Sequence, residues 1–347
     1  MKTISRTTIW ALLLSVLAGS VAVVEAGTGR RKGTSGAQEL LIPLGARGIG
    51  LSGSYTSGIQ GVEAMYWNPA GVAVLPGSAE AMFTHMNYLA DVNVEYAAVA
   101  AKLGEFGTLG FSIQTLNFGD IAITTTDYPD GTGETYSPNY ITLALNFSKM
   151  MTDRIAFGLN VKVVSETIMR ESATGVAFDF GLQYQTGVRG FKFGVAMKNL
   201  GPNMRFDGPD LEQTVQIPGT EPGSQPRPLR ITAQEFDLPS TLEFGTSYEM
   251  SVMAQSSLVI SGTFIHNNFS YDDFRIGGEW SYDNMLFVRG GYSLSPDLPT
   301  EEAMYTFTVG AGVKFSLSPT MSIAVDYGYQ ATEFFDDNHV FGIKLGL

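Results

Sequence analysis

The chain has 347 residues, no cysteine, and 21 Lys plus Arg against 34 Asp plus Glu, for a formal net charge of −13. The missing thiols exclude a disulfide scaffold, thiolate zinc sites and cysteine nucleophiles, and the acidic balance argues against nucleic acid, whose binding needs basic patches that displace counterions. Only 16% of residues are charged while Gly (40) and aromatics (12%) run high; a soluble cytosolic domain carries about a quarter charged residues.

Lys2 and Arg6 precede the apolar run from Ile9 to Ala18, small residues follow, and Val24-Glu25-Ala26 offers a cleavage site of the A-x-A kind. That order predicts a secretory signal peptide over 1–26, removed on export, and the apolar run is short of the ~20 residues of a helical span. No later segment is apolar for long enough to cross lipid as a helix. Strands remain the alternative.

Residues 27–77 precede the strands, and from 40 onward they do not alternate. Leu40-Leu41-Ile42-Pro43-Leu44-Gly45-Ala46-Arg47-Gly48 leads to Gly53 and then to Tyr66-Trp67-Asn68-Pro69-Ala70-Gly71. Small residues interleaved with apolar ones predict short helical turns in close packing. Asn68-Pro69 marks a break, because a residue before proline avoids the helical region. A segment this apolar, ahead of a barrel, can hide by folding into the lumen.

From residue 78 the pattern has period two. Tyr305, Phe307, Val309, Ala311, Val313, Phe315 and Leu317 fall on one face, and Thr306, Thr308, Gly310, Gly312, Lys314 and Ser316 on the other, as in a strand with one apolar and one polar side. The same reading gives about fourteen strands, at 78–88, 93–103, 107–126, 139–150, 154–169, 174–186, 191–201, 240–250, 256–268, 272–283, 285–295, 303–318, 321–332 and 337–347. A soluble all-β protein also alternates, but strands so many and so long exceed its usual range. The polar face is rich in Gly and Ala with few Lys and Glu, which suits a narrow, occupied lumen. Short connections such as 151–153 and 319–320 alternate with longer ones such as 127–138 and 202–239, as short periplasmic turns alternate with outer loops. The expectation is an antiparallel transmembrane β-barrel over 78–347 in the cell outer membrane, surrounded by its lipid.

The run Gly45-Ala46-Arg47-Gly48 with Gly53, then Trp67-Asn68-Pro69-Ala70-Gly71, ahead of a strand-rich body, resembles the PorV/PorQ family, which is similar to the FadL-type long-chain fatty-acid transporters. The resemblance implies a fourteen-stranded FadL-like barrel with an N-terminal hatch in the lumen, formed by 27–77. It also implies a non-enzymatic role in protein secretion or surface attachment of the type IX kind, with a translocon and secreted cargo domains as partners. The alternative it implies is FadL-like transport of hydrophobic small molecules.

Lys192, Glu279, Arg289, Lys314 and Asp326 fall on the inward face. They either pair with one another and the hatch or line a polar path, and unpaired buried charge is costly enough to make pairing the expectation. The proline-rich 202–238 segment reads as a docking or lid loop or as an outer excursion. His85, His266 and His339 are isolated, with no nucleophile motif, metal spacing or phosphate loop in the chain. No enzyme activity and no cofactor is expected.

Overall fold

The computed structural model describes residues 31–188, 190–215, 225, 227–299 and 304–347. The expected signal peptide lies outside them, as do the first residues of the 27–77 segment. Among the described residues fourteen strands form one closed antiparallel barrel. They are β1 (Ala79–Asn87), β2 (Asn93–Lys102), β3 (Thr108–Asn117), β4 (Asn139–Met150), β5 (Ile155–Ile168), β6 (Glu171–Gln185) and β7 (Phe191–Leu200). The second half comprises β8 (Thr241–Met253), β9 (Ser256–Asn267), β10 (Asp273–Tyr282), β11 (Leu286–Leu294), β12 (Tyr305–Ser316), β13 (Ser322–Thr332) and β14 (Asn338–Gly346). Each pairs with its sequence neighbours, and β1 seals the wall against β14 from Glu80 opposite Gly346 to Asn87 opposite His339.

The alternation sets the two faces. Phe178, Phe180, Leu182, Phe307, Val309, Phe341 and Ile343 stand exposed on the outside, while Asn146, Asn160, Asp179, Ser261, Glu279 and Thr308 are buried inside. An apolar band running round the whole outer surface matches hydrocarbon, and strands crossing there keep every backbone group paired within the closed wall.

Two sequence expectations shift. The strand expected over 107–126 ends at Asn117, whose Oδ1 accepts the Gly119 amide at 2.9 Å, with Gly119 at φ 68°. This side-chain turn outcompetes the β-branched run that follows. Ile121–Ala122 and Thr135–Tyr136 then pair as a small hairpin within the loop. On the same rim β6 begins earlier than expected, so that Met169 and Arg170 alone join β5 to β6, Met169 at φ 54°.

The long 201–240 connection is anchored at both ends. Met204 pairs with Phe236, and Asp207 with Ser172 of β6. Met204 and Leu238 are buried in a cluster with Ala37, Leu40, Val164, Ala173 and Ala177.

Residues 31–77 run through the barrel from the long-loop mouth to the short-turn rim. At the mouth Arg31 pairs with Asp237 at 2.8 Å and Ser35 bridges to the same residue; at the rim Ser78 donates from its amide to the Leu347 carbonyl. Between lie the short helices Ala46–Gly50 and Ala64–Trp67 and the 3-10 turns Gln38–Leu41 and Pro69–Val74. The largest buried cluster is built jointly from this segment (Ile49, Leu51, Ile59, Val62, Met65, Trp67, Val72) and the inner wall (Met82, Met86, Val94, Tyr96, Val340). The wall is glycine where the segment presses on it. A Cβ at Gly158 would lie 2.2 Å from the Pro69 carbonyl carbon, at Gly181 2.1 Å from Asn68 Oδ1, at Gly194 2.5 Å from Ser57 Cα and at Gly291 2.6 Å from the Leu51 carbonyl carbon. Those separations are all below van der Waals contact.

Candidate functional site

The two halves of the sequence motif meet inside the barrel. Gly45 adopts φ 88° and Gly53 φ 70°, conformations that favour glycine. The Trp67 indole covers both Gly48 and Gly53, since a Cβ at Gly48 would fall 2.1 Å from Trp67 Nε1 and one at Gly53 2.5 Å from Trp67 Cζ3. That Nε1 donates to the Leu44 carbonyl at 2.9 Å. Asn68 is extended, its Oδ1 accepting the Ala70 amide at 3.1 Å to start the turn that Pro69 opens. Its Nδ2 donates to the carbonyls of Thr56 (2.9 Å) and, in the wall, Leu182 (3.2 Å). Gly71 lies against the Ile59 carbonyl, 2.1 Å from where its Cβ would be.

Arg47 carries the segment's charge to the wall. Its guanidinium grips Glu279 in a fork, Nη2 to Oε1 at 2.7 Å and Nε to Oε2 at 2.9 Å. Arg289 donates to Glu279 and to Asp326, both at 2.6 Å. Lys344 bridges Asp326 (3.3 Å) and Glu63 (2.9 Å), and Glu63 Oε1 accepts the Gly48 amide at 2.9 Å. The chain of contacts thus returns to the helix it started from, with three cations balancing three carboxylates. Further round the wall Lys162 pairs with Asp179 at 2.7 Å and Lys198 with Glu243 at 2.8 Å. Asn160 donates to Asp179 and to the Met65 carbonyl, and Thr56 to Glu243.

Of the five inward charges expected from sequence, Glu279, Arg289 and Asp326 therefore form one cluster. Lys192 stands apart, 3.4 Å from the half-exposed Glu249. Lys314 is half-buried near the short-turn rim and forms no ion pair among the described residues.

At the long-loop mouth a cavity of about 550 Å³ opens beside residues 33–39. Val92 and Leu89 of the β1–β2 connection line it, with Leu116, Phe118, Ile168 and, from the 201–240 loop, Phe206 and Phe236. The Phe118 and Tyr140 rings meet edge to face at 4.9 Å between centroids. Two acids face into it, Glu39 and Glu166. Glu39 is 2% exposed, and its carboxyl bonds only its own amide and the carboxyl of Glu166. Burial and then the charge of Glu166 push the Glu39 carboxyl well above the usual carboxylate range. A smaller cavity of about 20 Å³ is bordered by Leu40, Leu44, Tyr66 and Lys162. The sequence reading marked the 202–238 loop but not these acids, whose only signal is a single Glu set before the apolar run 40–44.

No family model matches the sequence, and no curated protein matches it. Among solved structures the chain is similar to CymD, a monoaromatic hydrocarbon channel, with a TM-score of 0.54 and 12% identity over 88% of this chain and 97% of that one. It is also similar to the toluene transporter TodX of Pseudomonas putida, with a TM-score of 0.50 and 14% identity over 85% of this chain and 96% of that one. The fold is that of the FadL-like barrels. A Pseudomonas aeruginosa FadL homologue also aligns, with a TM-score of 0.47 and 12% identity over 86% of this chain and 97% of that one. CymD and TodX are a hydrocarbon channel and a toluene transporter, and the secretion reading of the motif, with its translocon and cargo, gains no support from them.

Proposed function

We propose that this barrel admits small hydrophobic molecules at the outer face of the outer membrane, with residues 27–77 acting as a hatch that must shift for passage. The observation that carries the reading is the 550 Å³ cavity at the long-loop mouth, apolar on most sides and floored by that same segment. Ligand sites are concave, mainly apolar pockets of about this size with a few placed polar groups. The exported chain works without catalysis or cofactor. The hydrocarbon channels it resembles lend the reading their fold.

The test is binding of the fluorescent apolar probe N-phenyl-1-naphthylamine to the purified barrel. The wild type should bind it saturably, and Val92→Trp, which fills the cavity from the β1–β2 connection, should weaken binding about tenfold or more, the equivalent of ~1.4 kcal/mol. Equal binding by both proteins would place the probe on the outer wall or in the micelle and refute the reading.

A further inference from the structure

We propose that the mouth cavity selects apolar molecules bearing a hydrogen-bond-donating head, a hydroxyl or an ammonium, and discriminates against carboxylates. This rests on the reading that the cavity holds ligand, and names which ligands it takes.

The cavity's charged complement is one-sided. Its acids come from two elements packed against each other, Glu39 from the 3-10 turn Gln38–Leu41 and Glu166 from the outer end of β5. Tyr88 and Tyr140 supply phenols, and no Lys or Arg lines the cavity among the described residues. The cations nearest along the chain are engaged elsewhere, Arg31 on Asp237 and over the Phe269 ring, and Lys32 over the Tyr271 ring. Lys162, bordering the smaller cavity, is held by Asp179 and Asn199.

A buried carboxyl normally collects donors, because an acceptor without one has lost its water and gained nothing. Glu39 bonds no other side chain except its neighbouring acid, the Glu166 carboxyl, so the pair keeps acceptor oxygens that the protein leaves unfilled. Glu39, held protonated, donates to Glu166, and that single shared proton leaves the pair with a net negative charge and acceptor oxygens open to the cavity. The backbone of the segment is spoken for as well: Gln114 Nε2 takes the Glu39 carbonyl at 3.0 Å. A hydroxyl or ammonium on an incoming molecule would donate to this pair while its apolar body lay along Leu116, Phe118, Phe206 and Phe236. A carboxylate head would add a further anion to that negative pair, with no Lys or Arg among the described lining residues to answer it. Sites built to pair a buried polar group discriminate strongly against ligands that leave it unpaired. Long-chain fatty acids, implied by the sequence resemblance, would fall on the disfavoured side.

Four probes with one apolar body test this: 4-phenylbutanol, 4-phenylbutylamine, 4-phenylbutyrate and butylbenzene, titrated calorimetrically into the full-length processed protein at neutral pH. Val92→Trp serves as the background for micelle partitioning. The alcohol and the amine should bind at least about tenfold more tightly than the carboxylate. Glu39→Leu should bring the alcohol-to-carboxylate ratio to within about threefold, a ratio read inside one protein and so insensitive to a loss of folded material. A carboxylate bound as tightly as the alcohol by wild type would overturn the head-group preference while leaving the cavity as a ligand site. Failure of all four to exceed the Val92→Trp background would overturn the ligand site itself.

Discussion

Replacing Arg47 by methionine tests how the inner segment is held. The substitution keeps the apolar stem and removes the fork on Glu279, two charge-assisted hydrogen bonds of 2.7 and 2.9 Å. Such bonds are worth about 1.5–3 kcal/mol each, and removal of a partner from a buried pair adds the cost of the charge left behind. Here that cost is softened, because Glu279 keeps Arg289 at 2.6 Å. A net loss of about 3 kcal/mol, roughly a hundredfold in the balance between seated and unseated segment, follows. The segment stays mostly seated, since Glu63 on Lys344 and Asn68 on the wall carbonyls are untouched. The assay is single-channel recording in a planar bilayer, where brief openings should become roughly a hundredfold more frequent. Resistance of the barrel to unfolding in sodium dodecyl sulfate should hardly change, because β10, β11 and β13 keep their own pairs. An opening frequency within about threefold of wild type would refute the idea that this ion pair fastens the segment.

Further outcomes follow from other contacts. Gly181→Val would drive a side chain into Asn68, and a protease should then cut within residues 40–77 of the assembled barrel, where wild type resists. Asn68→Ala removes a buried cap and two or more carbonyl contacts and should cost about 1–3 kcal/mol in urea unfolding. Val163→Arg places a cation on the lipid face of β5 and should cost about 2–4 kcal/mol if it sits near the bilayer midplane, whereas a cost near zero would mean that this face is not against lipid. Burial and the neighbouring Glu166 hold the Glu39 carboxyl above its ordinary range in the fold, so the stability it lends is fully present below the unfolded value near 4.5 and lost as pH rises through the raised folded one. The melting temperature should fall as pH rises from about 4.5 and level off once Glu39 has lost its proton in the fold, while Glu39→Gln stays nearly level over the same range.

The wall was legible in the sequence because period two is a property of consecutive residues. Tyr305 to Leu317 needs no partner to declare its faces, and the glycines on its polar side foretell close contents. The overrun of β3 past Asn117 shows the limit of that signal. Phe118 to Thr126 is rich in strand-forming residues, but one Asn side chain and a left-handed Gly119 turn the backbone away first. Charges were legible as inward, yet which ones pair depends on register round the closed wall. That register puts Glu279 opposite Arg289 and Asp326 opposite Gly342, leaving Lys314 without an acid among the described residues. Arg47 could be picked out from its glycine neighbours, but nothing local ties it to Glu279 on β10. The acid pair at the mouth was illegible for the same reason. Glu39 and Glu166 become neighbours only because the chain enters the lumen from the loop side, a direction that no local pattern encodes.

That direction of travel constrains how the protein is made. The segment enters at one end of the cylinder and leaves at the other, directly into β1, and β1 is one of the two edges that must be stitched together. The other edge is β14, whose successor Leu347 accepts the amides of Ser78 and Ala79. With wall glycines in sub-contact range of the segment's backbone, there is no clearance for threading it through a finished ring. The filling has to be in place when the seam is sewn, so any assembly machinery must hold the cylinder ajar until its last strand arrives.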